Sequence, residues 1–408
     1  MRDILAPESA RWRAFTDVFA SVVAPAGYEL VIPPMMEDLA VFSRLGEATE
    51  IVTKEMYDFV DKGERHVALR PEQTASVCRA FAEHRPVTPW KAWYSGPNFR
   101  YEKPQRGRYR QFDQVGVEVL GVDDPHLDVE VIALGWEFYR RLGLRKVTLK
   151  LNSLGEPDDR ARYMNALREH FEAAGEALSA QSRSTLLKNP LRVLDSKRPE
   201  DQTLIANAPT IDQFWSDDAA AHIAVVRAGL DALAIPYTID LKLVRGLDYY
   251  RRTIFEYQGG TLDSAQDALG GGGRYDGLVE DLGGPPTPGI GFALGVDRTL
   301  LACDDEGAFP APHAAVDVFV VDTAGGADAL SITTELRQAG LSADRAYEQR
   351  SMKAQMKAAN RSGADFAVIV GTDEIESGTV TLRPLRGDGE QVAVRRDSLT
   401  AELQQRLH

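Results

Sequence analysis

The stretch WYSGPNFRYEKPQRGRYRQFDQVGVEVLG, from Trp93 to Gly121, predicts two β-strands joined by a turn. Aromatic and β-branched residues favour strands in both arms, while the segment from Lys103 to Gly107 contains the proline and glycine that interrupt regular hydrogen bonding. Successive side chains of a strand point to opposite faces of the sheet. Alternation therefore predicts a polar face with Asn98, Arg100, Glu102, Arg108, Arg110, Gln114 and Glu118, and an apolar face with Phe99, Tyr101, Tyr109, Val115, Val117 and Val119.

The polar face has two interpretations. A polar sheet face is commonly just the solvated side of an antiparallel sheet. The residue types favour a binding surface instead, because arginines offer planar forks for phosphate, and Gln and Glu offer fixed acceptors for an ammonium group. From Arg100 to Arg110 the chain carries five basic residues and one acid, whereas the net charge of the whole chain is −14. We expect Arg100, Gln114 and Glu118, which share one parity, to lie on one face.

Composition restricts the protein class. A chain of 408 residues, 44% hydrophobic and 26% charged, predicts a soluble protein of two or three domains. It has no apolar run of about 18 residues and no signal-peptide core, so we expect a cytoplasmic protein without membrane contact. Two cysteines, Cys78 and Cys303, cannot build a disulfide framework, and neither they nor the seven scattered histidines have metal-ligand spacing, so we expect no protein-built metal site. The negative net charge disfavours nonspecific nucleic-acid binding, although local basic patches can bind RNA.

Periodicity predicts the remaining elements of the first three quarters of the chain. An amphipathic helix ends near Pro25, and Pro33-Pro34 stops the short strand that follows. A long charged region without strand alternation predicts an inserted helical module at about residues 156–234. We expect helices at residues 8–25, from Pro71 through His84, and at 127–142, and strands at 28–32, 53–59, 67–70, 146–151, 236–244 and 253–257.

Two glycine-rich segments and a change of pattern follow. LGGGGRYDGL, residues 269–278, predicts a tight turn or a loop that could hold phosphate, but it lacks the GK[ST] ending of a P-loop. GIGFALGVDR, residues 289–298, almost forms a GxGxxG fingerprint, but its spacing is one residue too long and no preceding strand is evident. Beyond Pro310-Ala311-Pro312, strands at 316–321, 366–370 and 379–385 alternate with helices at 327–339 and 351–361. This alternation predicts a small α/β domain with its own core.

Several of these segments resemble one family. FRYEKPQRGRYRQF followed by Asp113-Gln114 is similar to motif 2 of class II aminoacyl-tRNA synthetases, in the form found in histidyl-tRNA synthetases. LVRGLDYY (residues 243–250) and LGGGGRYDGL resemble the two histidine-specific motifs of that family, and GIGFALGVDR resembles motif 3. Residues 8–34 resemble the dimer-forming motif 1, LRPEQTA (residues 69–75) resembles the LRPEGTA segment, and residues 352–385 resemble the anticodon-binding domain. Gln73 replaces the usual glycine, and Arg251-Arg252 replaces the usual Thr-Gly.

The resemblance implies roles for particular residues. Arg100, Arg245 and Arg298 would be catalytic, with Arg245 reaching the ATP α-phosphate and the histidine carboxylate, and Arg298 the γ-phosphate. Tyr249 and Tyr250 would line the imidazole pocket. The implied residues for binding histidine and ATP are Glu72, Gln73, Thr74, Arg100, Gln114, Glu118, Arg245, Tyr249, Tyr250 and Tyr275.

The resemblance also implies the fold and the function. We expect an α+β protein: a catalytic domain (residues 1–312) with an antiparallel sheet flanked by helices and the helical insertion, and an α/β anticodon-binding domain (residues 313–408). The implied activity is ligation of L-histidine to tRNA(His) by a homodimer, with ATP as substrate and Mg²⁺. A noncatalytic histidine-sensing regulatory subunit of ATP phosphoribosyltransferase is the alternative, and a sensor of uncharged tRNA is a third interpretation. Regulatory subunits of that kind lack the C-terminal domain and usually LVRGLDYY, both of which this chain has.

Overall fold

A computed structural model of the chain describes residues 1–43, 54–262, 267–312, 316–348, 350–386 and 389–407. The chain divides into two units, Met1–Ala311 and Pro312–His408. Within the described ranges, no helix combines the length and the apolar character that crossing a membrane requires. The start of the strand expected at residues 53–59 lies outside the described residues.

The first unit combines helices with a large sheet and a small one. Most of its elements coincide with the predicted ones. They are α1 (Glu8–Val23), β1 (Glu29–Leu30), β2 (Met36–Asp38), α2 (Leu39–Ser43), β3 (Tyr57–Val60), β4 (His66–Leu69), α3 (Thr74–His84), β5 (Trp90–Phe99), β6 (Gln111–Leu120), α4 (Pro125–Arg141), β7 (Val147–Ser153), α5 (Pro157–Ala173), α6 (Ala180–Lys188), α7 (Pro199–Ala206), α8 (Asp217–Ala232), β8 (Thr238–Ile239), β9 (Arg251–Gly259), β10 (Ala268–Arg274), α9 (Leu278–Asp281), β11 (Gly289–Gly295) and α10 (Val296–Glu306).

The large sheet has the strand order β1-β5-β6-β11-β10-β9-β7-β8 in the described chain. Its interior pairs are antiparallel, and only the edge strands β1 and β8 pair in parallel. One face packs on α1 and α4, where Phe138 contacts Phe15 and Phe19 edge to face at centroid distances of 5.0 and 5.1 Å. Val115 and Val117 belong to the same cluster, so the predicted apolar face of β6 is confirmed. The predicted antiparallel sheet flanked by helices is confirmed with it.

The connection between β5 and β6 is longer than the sequence predicted. Both strands stop before the arginines, because β5 ends at Phe99 and β6 begins at Gln111. A tight turn at the tip closes with an isolated bridge between Gln105 and Arg108. The prediction that the strands extend over Arg100, Arg108 and Arg110 is therefore wrong, whereas alternation holds for the strand residues Gln114 and Glu118.

The glycine-rich segment at residues 269–278 differs from the predicted turn or loop. Its glycines belong to β10, a central strand between β9 and β11. The glycines are needed because the neighbouring backbones approach closely. A Cβ at Gly272 would overlap the carbonyl oxygen of Gly291, and one at Gly271 would overlap that of Phe255. Close approach of backbones is a recognised role of glycine inside a strand.

The predicted helical module and the C-terminal domain each have their own core. Helices α5 to α7 surround a cluster that includes Tyr163, Leu167 and Phe171. The second unit has a mixed five-stranded sheet in its described residues, with the order β13-β12-β14-β15-β16. Its elements are β12 (Val318–Asp322), α11 (Ala327–Gln338), β13 (Ala343–Arg345), α12 (Met352–Ser362), β14 (Phe366–Val370), α13 (Thr372–Ser377), β15 (Thr379–Pro384), β16 (Val392–Arg395) and α14 (Leu399–Leu407). The alternation of strands and helices predicted for this region is confirmed.

Replacing Gly272 with alanine tests the close strand approach. We expect Gly272→Ala to lower the free energy of unfolding by about 1–3 kcal/mol or more, because the added methyl group must push β10 and β11 apart. Gly246→Ala is the matched control, since a Cβ there meets nothing within 4 Å. Chemical denaturation of both variants measures the difference. Equal stability of the two variants would contradict the packing described here.

Candidate active site

A cavity of about 210 Å³ lies on the face of the large sheet opposite α1 and α4. Its floor includes Gln114 from β6 and the glycines of β10, and loops and α10 supply the walls. Four arginines and four acids lie on its surface. The charged lining residues are Arg100, Arg108, Arg245, Arg298, Glu72, Glu102, Asp113 and Asp297.

The structure brings most of the predicted site residues to this cavity but not all of them. Gln73, Glu118 and Tyr275 do not reach its surface. Gln73 is buried and directs its amide toward the carbonyl oxygen of Gly96 at 3.3 Å. The predicted residues that line the cavity are Glu72, Thr74, Arg100, Gln114, Arg245, Tyr249, Tyr250 and Arg298.

Each of the three predicted catalytic arginines is held by a different part of the fold. Arg100 donates from Nε to the carbonyl oxygen of Pro71 at 2.9 Å, and its guanidinium lies 5.2 Å from the ring centre of Phe112. Arg245 forms an ion pair with Glu256. Arg298 donates to two backbone carbonyl groups. The three guanidinium groups thus reach one cavity from the β5–β6 connection, the loop before β9 and helix α10.

Arg298 lies near other arginines as well as acids of the cavity. Its side chain donates to the carbonyl oxygens of Gly107 at 3.2 Å and Ala268 at 3.0 Å. Burial lowers the pKa of Arg298, and the charge of Arg108 lowers it further. An anion bound nearby would relieve this repulsion, because opposite charge stabilises the charged form of a side chain.

Glu72 has a structural contact that the sequence did not indicate. Helix α3 begins at Thr74, so the prediction that Pro71 opens it is wrong. The carboxylate of Glu72, which precedes the N-cap residue Gln73, accepts hydrogen bonds from the backbone N–H groups of Thr74 at 2.8 Å and Ala75 at 2.9 Å, two donors that the first turn of a helix leaves unpaired. Burial raises the pKa of Glu72, while these hydrogen bonds lower it. The carboxylate lies on the cavity wall in a fixed orientation.

Glu118 lies in a layer beneath the cavity. Its side chain is fully buried and accepts hydrogen bonds from the hydroxyl groups of Thr74 at 2.7 Å, Tyr94 at 3.2 Å and Tyr275. Burial raises the pKa of Glu118 to about 8, although the hydrogen bond from Tyr275 opposes the shift. Tyr94 was not predicted as a site residue. It has the same parity in β5 as Asn98, so alternation along the strand could have identified it.

The two tyrosines of residues 243–250 form an aromatic wall. The ring centres of Tyr249 and Tyr250 are 4.6 Å apart, and Tyr249 contacts Tyr275 edge to face at 5.8 Å. The strand predicted at residues 236–244 is largely wrong, since only Thr238–Ile239 pairs, as the edge strand β8. Residues 240–250 form an irregular connection that follows the wall of the cavity.

Three further acids of the cavity, Glu102, Asp113 and Asp297, were not predicted as site residues. Burial raises the pKa of Asp113 to about 6, and the charge of Asp297 adds to the shift. Asp297 accepts a hydrogen bond from Arg2 at 3.2 Å, which brings the N-terminal segment next to the cavity. Asp297 directly precedes Arg298 in the sequence, and this adjacency could have identified Asp297 as a site residue. The described residues contain no group of three or more His, Cys, Asp or Glu side chains that could hold a metal ion.

The buried carboxyl group of Glu118 predicts a pH dependence of stability. In the folded protein the pKa is about 8, above the ordinary value of 4.5, so the folded state holds a proton that the unfolded chain releases. The free energy of unfolding should therefore fall as pH rises between these two values, by up to about 1.4 kcal/mol per pH unit. Glu118→Gln should flatten this slope, and the exposed Glu280→Gln should not.

Urea denaturation of the two variants and the parent protein across this pH range measures the slope. A slope that is the same for all three proteins would show that Glu118 is ionised in the folded state.

Comparisons with known proteins agree with this geometry. The family model described as histidyl-tRNA synthetase matches residues 1–299, and the model described as anticodon binding domain matches residues 316–406. Curated relatives named "Histidine–tRNA ligase" include those of Mycobacterium bovis, 48% identical over 99% of this chain and 96% of the relative, and of Halothermothrix orenii, 45% identical over 98% and 97%.

Solved structures are similar over the same length. Apo histidyl-tRNA synthetase of S. aureus matches with a TM-score of 0.83 and 37% identity, covering 99% of this chain and 98% of that chain. A structure from Bacillus halodurans, titled an ATP phosphoribosyltransferase regulatory subunit/histidyl-tRNA synthetase, matches with a TM-score of 0.67 at 20% identity, over 91% and 97%, and thus shares the fold. With two family models spanning nearly the whole chain and relatives at 45–48% identity, the protein belongs to the histidyl-tRNA synthetase family.

Proposed function

We propose that the protein activates L-histidine with ATP to form histidyl-adenylate and pyrophosphate, and then transfers the histidyl group to the 3′ end of tRNA(His). The observation that carries the proposal is the set of guanidinium groups of Arg100, Arg245 and Arg298, which reach one cavity from three separate elements. Three guanidinium groups in one pocket suit a pair of substrates that together present a phosphate chain and a carboxylate.

Activation requires stabilisation of negative charge. An oxygen of the histidine carboxylate attacks the α-phosphorus of ATP, a new P–O bond forms, and the bond to the β-phosphate oxygen breaks with release of pyrophosphate. Positioning and electrostatic stabilisation supply most of the rate of such a transfer. Arg100 and Arg245 would bind the α-phosphate and the carboxylate, and Arg298 would bind the γ-phosphate.

Histidine would be held at the other end of the cavity. Glu72, Thr74 and Gln114 provide acceptors for the α-ammonium group, and the carboxylate of Glu72 keeps lone pairs available after accepting two backbone hydrogen bonds. Tyr249 and Tyr250 would enclose the imidazole ring. Binding of the ring would then bring it close to the buried layer of Glu118 and Tyr275, whose hydrogen bond to each other would have to adjust.

Mg²⁺ would enter this site with ATP. Three of the four carboxylates on the cavity surface have partners: Glu72 accepts from backbone N–H groups, Glu102 pairs with Arg108, and Asp297 pairs with Arg2. Mg²⁺ in nucleotide sites is held largely by substrate phosphates and water. It would reduce the charge of the phosphate chain, while the arginines orient that chain.

The tRNA would contact two other regions. We assign residues 313–408 as the anticodon-binding domain and residues 156–234 as the insertion that lies against the acceptor arm. The segment from Arg345 to Arg361 carries five basic residues and one acid. The guanidinium of Arg345 lies 4.6 Å from the ring centre of Tyr347, and both side chains border a cavity of the second unit. Basic and aromatic groups together suit an unstacked RNA base next to phosphate.

A homodimer in the cytoplasm fits the remaining observations. Large apolar side chains are exposed around β1 to β4, and the family resemblance gives residues 8–34 a role in dimerisation. An exposed apolar patch of this kind is typical of a protein interface. Its members are Leu30, Ile32, Met35, Met36, Phe59 and Val60. A cytoplasmic location follows from the substrates, because tRNA charging takes place where tRNA and ATP are available.

A regulatory subunit without catalytic activity is disfavoured. The relatives at 45–48% identity are named histidine–tRNA ligase, and this chain contains the LVRGLDYY segment, with Arg245 on the cavity wall. A sensor of uncharged tRNA is disfavoured as well, because such sensors are normally appended to other domains.

Exchange of labelled pyrophosphate into ATP is the direct test of the proposed activity. We expect exchange that requires L-histidine and does not occur with other amino acids, in the absence of tRNA. No exchange under conditions in which the protein is folded would favour the regulatory interpretation, and exchange that is independent of histidine would contradict the proposed substrate.

Replacing Arg245 tests its assigned role. Arg245→Ala should reduce histidine-dependent exchange by about 100-fold or more, because one charge-stabilising donor is lost from the reacting phosphate. The affinity for tRNA should stay nearly unchanged. Arg13→Ala, on the exposed side of α1, is the matched control and should leave both quantities intact. Parallel loss of exchange and tRNA affinity in the Arg245 variant would show that this residue is structural.

A further inference from the structure

The cavity wall formed by residues 244–250 has no regular structure of its own. Among the described residues, no backbone–backbone hydrogen bond holds this segment, which will be called the cavity loop. Yet the cavity loop carries Arg245, Tyr249 and Tyr250, and all three must be oriented accurately. Its conformation therefore depends on side-chain contacts with neighbouring elements.

Asp248 makes polar contacts whose partners all lie in the helical insertion. Its carboxylate accepts a hydrogen bond from the amide of Asn189 at 3.1 Å. Two guanidinium groups, of Arg160 and Arg192, each lie 3.7 Å from the same carboxylate oxygen. Arg160 also donates to the backbone carbonyl oxygen of Asp248 at 2.8 Å. The cavity loop is thus fixed to α5 and to the turn Pro190–Asp195.

These contacts are partly withdrawn from water. The side chains of Asp248, Arg160 and Arg192 are exposed by only 20%, 21% and 22%. Ion pairs, and hydrogen bonds that involve one charged group, are stronger in such an environment than on an open surface. Val244, at the start of the cavity loop, packs on the hydrophobic cluster of the insertion, so an apolar contact supports the polar ones.

Asp248 itself does not line the cavity, and neither do Asn189, Arg160 and Arg192. Tyr249, the next residue along the chain, faces the cavity. Polar anchoring on one side of the cavity loop therefore fixes the direction of the substrate-facing groups on the other side. A residue that acts in this way affects catalysis without touching the substrate.

We propose that Asp248 is a positioning residue through which the helical insertion holds Arg245, Tyr249 and Tyr250 in their places on the cavity wall. The insertion then serves the activation of the amino acid as well as the contact with tRNA. This inference rests on the proposed function, since the groups it positions are those assigned to histidine and ATP.

Pyrophosphate exchange without tRNA, measured for variants on both sides of the contact, tests the inference. Asp248→Ala and Arg192→Ala should each lower kcat/KM for histidine by about 10- to 100-fold, because small displacements of catalytic groups have effects of this size. The double variant should lose no more than the larger of the two single losses. Asp248→Asn, which keeps the acceptor for Asn189 and loses the charge, should retain an intermediate rate. Arg198→Ala, at an exposed site of the insertion, is the control and should behave as the parent protein.

Limited proteolysis gives a readout that does not depend on activity. In both variants chymotrypsin should cleave after Tyr249 or Tyr250 faster than in the parent protein, while β9 to β11 stay resistant. Unchanged kcat/KM together with unchanged cleavage of the cavity loop would overturn the inference, as would faster cleavage spread over the whole unit. If the parent protein shows no histidine-dependent reaction, the proposed function fails, and the rate of cleavage still decides whether Asp248 holds the cavity loop.

Discussion

The catalytic unit depends on compensating the lost hydration of charged side chains that are partly removed from water. Charged groups that leave water need hydrogen bonds or opposite charges in compensation. Here the compensation comes from the backbone and from a neighbouring side chain. Arg298 donates to two carbonyl oxygens, Glu72 accepts from two N–H groups, and Arg245 pairs with Glu256. Each charged group is therefore held in position before any substrate binds. Such preorganisation is what an active site requires for electrostatic catalysis.

The sheet provides the space for this arrangement. In β10 and β11 the glycines allow backbones and the buried carboxylate of Glu118 to approach closely, because a Cβ at Gly291 would collide with that carboxylate. The floor of the cavity is consequently thin and built mainly of backbone, while the bulky charged groups come from its margins. A fold of this kind keeps the floor rigid and lets the margins determine specificity.

Much of the fold was predictable because the relevant signals are local. Alternation identified the apolar face of β6 correctly, and helical periodicity located α1 and the C-terminal elements. Arg100 and Arg108 reach the same cavity as Gln114, as predicted, but they do so from an irregular connection in which alternation carries no information. The glycines of β10 suggested a loop because a single sequence does not reveal neighbouring strands. Glu118 and Tyr275 were expected at the substrate surface, and only the three-dimensional packing shows that they satisfy each other beneath it.

A crystal structure with histidine and a nonhydrolysable ATP analogue tests the central claim most directly. We expect the α-phosphate oxygens to lie within about 3.2 Å of guanidinium nitrogens of Arg100 and Arg245, with the imidazole against Tyr249 and Tyr250. Ligands bound elsewhere, or these guanidinium groups directed away from the phosphate, would contradict it.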